Sequence, residues 1–401
     1  MEPAVAAPDG SKNQAQFSVQ LSPSANHSNQ TSDESRRQND AKEYSRLKII
    51  LAIFGTALFY LLTIAIVAGG LSRSVEDFVG QLTSNAYIAL LLFASILGLA
   101  NLIVTFPLSF YSGYYLEHKY QLSNQSFMRW MWEGLKGMMV SIPIGIPILL
   151  AFYFCLKTFG SMWWLPVGTV MFALSVVLAR LAPVLIFPLF YKFMPLEDGP
   201  MKTRILSICG KVGVAVEGIF TFDLSKNTKK ANAAFTGIGK SKRIILGDTL
   251  VQNFTEEEVE TVFAHELGHY KMKHIWLMMG FGTLSSFLGL FLTAWLYELS
   301  LPWFGFVRLD QIAALPLLTL WLGIYSLIAT PLGNHCSRRH EYAADRYAVE
   351  ITRKGETFVN ALTKLARINL ADTAPHALIE FLFHSHPSIE KRIQAVREMR
   401  T

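Results

Sequence analysis

Residues 265–269 read HELGH, and this stretch decides how the rest of the chain is interpreted. At about 3.6 residues per turn, His265 and His269 lie on one face of a helix and can offer two imidazole nitrogens to one tetrahedral metal ion. Glu266 lies one step round the helix, where its carboxylate can take the proton of a water molecule that attacks a carbonyl. The pattern therefore predicts a zinc-dependent peptide hydrolase in which His265 and His269 are metal ligands and Glu266 is the general base.

The residues before the motif carry the signals of a helix start. Thr255 and Glu258 form a capping box, and the acidic run 256–258 suits the positive end of the helix dipole. These signals predict a helix from about residue 256 to residue 270. Lysines follow directly, so the motif lies in charged, amphipathic sequence. We therefore expect the metal site in a water-facing domain, not inside an apolar bilayer segment.

The composition indicates a membrane protein. The chain has 401 residues, of which 51% are hydrophobic and only 16% are charged, with a mean hydropathy of +0.31. An ordinary soluble protein is about 25% charged. Six uncharged stretches are long enough to cross a hydrocarbon core of about 30 Å; they are residues 49–70, 86–110, 137–156, 158–179, 275–297 and 312–333.

These spans predict a mainly α-helical, multi-pass membrane protein that carries a water-facing α+β zinc-metalloprotease domain. We expect a disordered polar tail over 1–47, a membrane domain with four spans over 48–191, and a metallopeptidase domain over 192–401 that includes the last two spans. The tail is rich in Ser, Asn, Gln and Ala and has no apolar period. The chain has three cysteines without framework spacing, so neither disulfides nor a thiolate zinc site is indicated.

The positions of the basic residues predict the orientation in the membrane. Lysine and arginine residues are concentrated before the first span, between the second and third, and after the sixth, and the positive-inside rule places such loops in the cytoplasm. We therefore expect both termini, the segment 192–274 and the catalytic face to be cytosolic, in the endoplasmic reticulum membrane of a eukaryote or the inner membrane of a bacterium. The net charge of +6 is explained by this topology, and nucleic-acid binding is not expected.

A two-histidine zinc site needs a third protein ligand. The best candidate is Glu341, which follows the sixth span in the stretch SRRHEYAAD and shares one helix face with Asp345 at the i, i+4 spacing. Spacing alone leaves four alternatives open for this role. They are His335, His340, His384 and His386.

Short β-like runs lie between the fourth and fifth spans, at 218–222, 232–237 and 243–247. Polar turns separate them, and we expect a small antiparallel sheet beside the metal helix. An exposed edge strand in such a sheet can bind an extended peptide through main-chain hydrogen bonds.

Several separated motifs, in the same order, are similar to those of one family. The chain resembles CAAX prenyl protease type 1, a multispanning zinc metallopeptidase family, from about Phe106 to Met399. The matching stretches are LEHKY at 116–120, PVLIFPLFYKF at 183–193, NAAF at 232–235, GKSKR at 239–243, HELGHY at 265–270, SRRHEYAAD at 337–345 and SHPSIEKR at 385–392. The family usually has seven spans, whereas this chain has six predicted spans.

The resemblance implies roles for ten residues. It assigns one zinc ion to His265, His269 and Glu341, and proton transfer to Glu266. It also implies transition-state support by His386, and an Asp345–Arg392 contact that orients the ligand-bearing helix. The remaining assignment is pairing with the substrate by the edge residues Asn232, Ala233 and Phe235.

We therefore expect a membrane zinc endopeptidase that cleaves extended, prenylated C-terminal peptides, with peptide or protein substrates and the lipid bilayer as its partners. One alternative is a quality-control membrane metalloprotease of the heat-shock type. Another is a non-catalytic scaffold that binds lipid or peptide, against which the presence of Glu266 argues, since a scaffold needs no base beside a metal. The sequence does not specify an oligomeric state.

Overall fold

The computed structural model describes residues 23–236 and 243–399, and helices make up most of them. In chain order the helices are α1 Pro23–Ala68, α2 Leu71–Leu82, α3 Ala86–Phe110, α4 Leu116–Lys119, α5 Phe127–Phe159, α6 Trp164–Leu181, α7 Phe187–Phe190, α8 Pro200–Lys211, α9 Asp248–Asn253, α10 Glu256–Lys271, α11 His274–Ser300, α12 Pro316–Thr352, α13 Gly355–Asn369, α14 Ala377–Phe383 and α15 Ile389–Glu398. One-turn π-helical segments join α3 to α4 and α6 to α7 without interrupting the helical path.

Six helical stretches of the described residues are long and apolar enough to cross a membrane, which confirms the six predicted spans. The bounds differ from the predicted ones: the fourth stretch begins at Trp164 and ends at Phe190, because residues 158–162 belong to the third stretch. The stretches are Glu34–Ala68, Ala86–Lys119, Phe127–Met162, Trp164–Phe190, His274–Phe304 and Ile312–Thr352.

The prediction of a disordered tail over 1–47 is wrong for residues 23–47, which belong to α1; residues 1–22 lie outside the described part of the chain. Tertiary contacts hold this polar part of the helix. Tyr44 is buried, its ring meets Tyr120 edge-on at 5.3 Å, and its hydroxyl donates to Glu117 at 2.5 Å. A few apolar residues at helical spacing therefore order a segment whose average composition resembles that of a disordered chain.

The sheet has four strands in the order β1-β2-β4-β3, formed by β1 Phe193–Pro195, β2 Gly218–Phe222, β3 Ala233–Thr236 and β4 Arg243–Gly247. The predicted antiparallel sheet is wrong in one respect, because β2 and β4 are parallel. The chain leaves β2, forms β3 at the sheet edge and returns through β4, which inserts between the two. A connection of this length permits the parallel arrangement, which the residue types of short strands do not encode. Among the described residues, no strand pairs with the other side of β3.

The sheet and the helices α8, α10, α13 and α15 enclose the core of the peptidase domain. The predicted metal helix is confirmed as α10, with both capping-box hydrogen bonds: Glu258 N–H donates to Thr255 Oγ1 at 3.2 Å and Thr255 N–H donates to Glu258 Oε2 at 2.8 Å. Val259, Phe263 and Leu267 are buried on the core side of α10. Burial of this apolar face fixes the rotation of α10, and therefore the direction in which its histidines point.

Candidate active site

Helix α10 lies directly against α12 at the metal motif. A Cβ atom added to Gly268 would lie 3.1 Å from the Cα atom and 3.3 Å from the carbonyl oxygen of Ala344, so no larger residue fits here without moving a backbone. Ala344 is buried between Glu341 and Asp345, which are also buried. The close approach therefore brings the acidic turn of α12 to the histidine face of α10.

Three side chains converge at this contact. Glu341 Oε1 lies 3.2 Å from His269 Nε2, Glu341 Oε2 lies 3.4 Å from His265 Nε2, and the two Nε2 atoms are 3.2 Å apart. One ligand atom from each residue lies within 4.8 Å of the others, the spacing of atoms that share a metal ion. Sequence spacing alone leaves four histidines as alternatives for the third ligand. In the described part of the chain, the side chain that meets His265 and His269 is that of Glu341.

The chemistry of these donors fits a divalent cation. Glu341 Oε2 is buried and makes no well-aligned hydrogen bond within the described residues, although His265 Nε2 lies 3.4 Å and Arg392 Nη1 lies 3.6 Å away. Against the opposing effect of burial, the neighbouring carboxylates of Asp345 and Glu341 raise the pKa of His265 to about 9. Two carboxylates beside this histidine favour positive charge here, which a metal ion can supply. Two imidazoles and one carboxylate form a donor set known in catalytic zinc sites that keep a fourth position open.

A buried ion pair holds His265 in place. His265 Nδ1 lies 2.8 Å from Asp345 Oδ1, and Arg392 binds both carboxylate oxygens of Asp345, with Nη2 to Oδ1 at 2.6 Å and Nε to Oδ2 at 2.8 Å. The expected Asp345–Arg392 contact is thus present, and the direct contact of Asp345 with His265 is an addition to it. Since Nδ1–H donates to Asp345, Nε2 is left as the nitrogen that faces Glu341.

His269 is held by a residue that the sequence did not indicate. His269 Nδ1 lies 3.0 Å from His274 Nδ1, and the His274 ring stacks on His340 with centroids 4.1 Å apart. Lys273 has a positive φ of 58°, which breaks the helix and turns His274 back toward α10. No spacing rule for a regular helix places His274 there, so only the turn geometry reveals it. His340 therefore lies behind His274 and not among the convergent donors.

Glu266 and His386 border the three donors. Burial raises the pKa of Glu266 above that of an ordinary carboxylic acid. His386 Nε2 lies 3.3 Å from Glu341 Oε1, yet 62% of its side chain is exposed, so it stands on the open side of the site. His386 Nδ1 is 3.0 Å from Ser385 Oγ, which steadies the ring.

The predicted substrate residues lie at the sheet edge. The N–H of Gly247 donates to the carbonyl of Asn232 at 2.8 Å, so Asn232 directs its backbone toward β4. Because backbone direction alternates along a strand, the N–H and C=O groups of Ala233 and Phe235 face away from β4, toward the open edge. The Phe235 side chain is buried and packs on Tyr270 with ring centroids 4.9 Å apart. Phe235 therefore offers its backbone to the edge, while its side chain belongs to the core.

Two family models match the chain. Peptidase family M48 matches residues 195–400, and the model described as CAAX prenyl protease N-terminal, five membrane helices, matches residues 23–192. The second range contains four of the six candidate spans.

Similar proteins include enzymes of bacteria and yeast. The chain is 30% identical over 358 residues to the uncharacterized metalloprotease YhfN of Bacillus subtilis, covering 88% of this chain and 84% of that protein. It is 32% identical over 329 residues to CAAX prenyl protease 1 of Saccharomyces cerevisiae, covering 76% of this chain and 71% of that protein. The crystal structure of S. mikatae Ste24p matches with a TM-score of 0.80 and 29% identity, covering 90% of this chain and 89% of that one. The chain therefore belongs to peptidase family M48 and is a membrane metalloprotease homologous to CAAX prenyl protease 1.

Proposed function

We propose that this protein is a zinc endopeptidase that cuts a peptide bond near the C-terminus of extended, prenylated substrates. The observation that carries the proposal is the convergence of His265, His269 and Glu341, with Glu266 beside them. The open backbone edge of β3 in the same domain supports an extended substrate. One zinc ion per chain fits the donor set.

Each residue of the site has a separate role in the proposed hydrolysis. Bound zinc supplies a Lewis acid and lowers the pKa of a water molecule toward neutrality. Glu266 takes a proton from the attacking water; when the C–N bond breaks, Glu266 gives that proton to the departing amine. His386 stands on the open side of the site, where its Nε2–H can donate to the oxygen that gains charge as the carbonyl is attacked. Asp345 and His274 keep the two motif histidines oriented.

The substrate is an extended peptide that adds a strand to β3. Its backbone pairs with the outward groups of Ala233 and Phe235, which fixes the register and presents one carbonyl to the site. The relatives named CAAX prenyl protease 1 favour a peptide with an isoprenoid cysteine, cut directly after that cysteine to release the last three residues. Helices α5, α6, α11 and α12 line a mainly apolar cavity of about 860 Å³. Such a cavity has room for an isoprenoid chain, and each buried methylene adds about 0.8 kcal/mol.

We further propose a multi-pass protein with its catalytic face in the cytosol, in the endoplasmic reticulum membrane of a eukaryote or the inner membrane of a bacterium. The basic residues that flank the spans support this orientation. The two matched family models meet between residues 192 and 195, which supports a membrane domain over 48–191 and a metallopeptidase domain over 192–401.

A paired-substrate assay tests the proposal. Purified protein in detergent or lipid is given a farnesylated peptide with a C-terminal CAAX sequence and its unmodified twin. We expect cleavage of the farnesylated peptide alone or with far higher kcat/KM, and products from one bond by mass spectrometry. Glu266→Gln is the matched control: it preserves shape, keeps the metal and lowers turnover about 10²–10⁴-fold.

Three other outcomes would contradict parts of the proposal. Equal cleavage of both peptides removes the prenyl preference. Cleavage confined to unfolded membrane proteins favours the quality-control function. Equal, measurable rates for the parent protein and Glu266→Gln, both with bound zinc, would show that Glu266 is not the base. Absence of cleavage in both would favour a binding scaffold.

A further inference from the structure

The side chain of Asn369, the last residue of α13, occupies one position of the substrate-binding edge. Its Oδ1 accepts from the N–H of Ala231 at 2.8 Å, and its Nδ2 donates to the carbonyl of Ala231 at 3.2 Å. Both groups of Ala231 face away from β4, because the neighbouring Asn232 directs its carbonyl toward Gly247. Asn369 therefore makes the two hydrogen bonds that one residue of a paired strand would make.

The chain before Ala231 is closed as well. On the outward side, the N–H of Lys229 donates to the carbonyl of Leu122 at 2.9 Å. On the inner side, the Thr249 hydroxyl donates to the carbonyl of Lys230 at 2.8 Å and holds this segment in place. Within the described part of the edge, the outward backbone groups open to a peptide therefore begin at Ala233. Asn369 marks the point where the closed part ends.

We propose that Asn369 is an end stop that limits how many residues of a substrate can follow the paired segment. The proposal rests on the proposed peptidase function and deepens its specificity. A peptide that pairs antiparallel with β3, the more stable arrangement, runs from Phe235 toward Ala231, so its C-terminal end approaches Asn369. Short C-terminal tails end before this side chain, whereas a longer tail needs the backbone groups of Ala231 that Asn369 already holds. Asn369 acts as a specificity-determining residue and not as a catalytic one.

Peptides of graded length test the stop. A cleavable peptide is compared with versions that carry one to four additional residues at the C-terminus, and kcat/KM is measured for each. The parent protein should favour the short peptide. Asn369→Ala frees one backbone pair of Ala231, so it should raise the long-to-short ratio of kcat/KM by about tenfold, the effect of two additional hydrogen bonds. Asn369→Asp keeps the acceptor for the Ala231 N–H and should give a smaller increase.

Thr249→Val is the matched control. It removes a hydrogen bond to the adjacent Lys230 without opening the edge, so it should lower cleavage of all lengths equally and leave the ratio unchanged. A ratio that stays constant in Asn369→Ala, with cleavage still detectable, overturns the end stop alone. Absence of Glu266-dependent cleavage for every peptide in the parent protein instead contradicts the proposed function. Amide exchange at Ala231 gives a second measurement: Asn369→Ala should accelerate it, and unchanged protection contradicts the contact.

Discussion

Each motif histidine is fixed by a different kind of partner. His265 is held by the buried Asp345–Arg392 pair, whereas His269 contacts His274, which stacks on His340. A carboxylate raises the basicity of its histidine more than an imidazole does. The two motif histidines are therefore held unequally, and His265 depends on a buried charge that Arg392 compensates.

Removing either partner of the buried pair should destabilise the protein strongly. Asp345 is 0% exposed and Arg392 is 7% exposed, so Asp345→Ala or Arg392→Ala leaves a buried charge without its main partner, which costs about 3–5 kcal/mol in the free energy of unfolding. The double variant should lose clearly less than the sum of the two. Denaturation in detergent measures these values. Arg308→Ala, which breaks a pair at a side chain that is 72% exposed, serves as the control and should change stability by less than about 1 kcal/mol. Additive losses in the double variant would show that the two residues are not energetic partners.

The second prediction about single residues concerns zinc binding by the three proposed ligands. Alanine at His265, His269 or Glu341 should each reduce the zinc content of the purified protein sharply, because three protein ligands are the minimum for a catalytic site. His335→Ala and His384→Ala should retain zinc. The contact of Arg338 with His384 uses the backbone carbonyl and survives that substitution. Metal analysis by mass spectrometry decides the matter, and full occupancy in Glu341→Ala would reassign the third ligand.

At the scale of elements, the packing of α10 on α12 builds the site. Gly268→Ala places a methyl group 3.1 Å from the Ala344 Cα atom, and backbone atoms cannot rotate away. The helices must separate, which moves Glu341 relative to both histidines. We expect a loss of about 1–3 kcal/mol in stability, together with reduced zinc content. Gly280→Ala on α11 is the control, because no atom of the described residues lies within 4 Å of the added Cβ atom. It should leave the stability and the zinc content unchanged. Normal zinc content in a folded Gly268→Ala protein would contradict the importance of this contact.

The elements also explain which parts could be predicted from sequence. Helix α10 was predicted within about one residue, since its capping box and apolar face are local signals. The i, i+4 pair Glu341 and Asp345 was recognisable for the same reason. The parallel pairing of β2 with β4, the approach of Asn369 to Ala231 and the return of His274 depend on contacts between distant segments or on one left-handed residue. Patterns of residue type carry no information about such contacts.

At the scale of the whole molecule, one cluster joins the membrane and peptidase domains. Glu117, at the end of the second span, accepts from Tyr44 and pairs with Lys48 of α1 at 3.2 Å and with Lys230 of the peptidase domain at 2.9 Å. These contacts place the basic end of α1 and the peptidase domain at the same end of the helical bundle. At another junction, Glu76 of α2 accepts from the backbone N–H of Ile312 at 3.0 Å, where the chain enters α12.

This arrangement leads to a prediction of topology. If the positive-inside rule holds, Lys230 and the substrate edge lie in the cytosol and the loop between α11 and α12 lies on the opposite side. In a variant without Cys336, whose half-buried thiol would add background, a cysteine is introduced at Val307, which is 91% exposed, or at Lys229. The protein is placed in the inner membrane of bacterial cells, whose non-cytosolic side is accessible to an impermeant reagent in intact cells, and there Val307→Cys should react. Lys229→Cys should react only after permeabilisation. Because Glu117 ties Lys230 to the basic end of α1, the opposite labelling pattern would invert both domains together and place the metal site outside the cytosol.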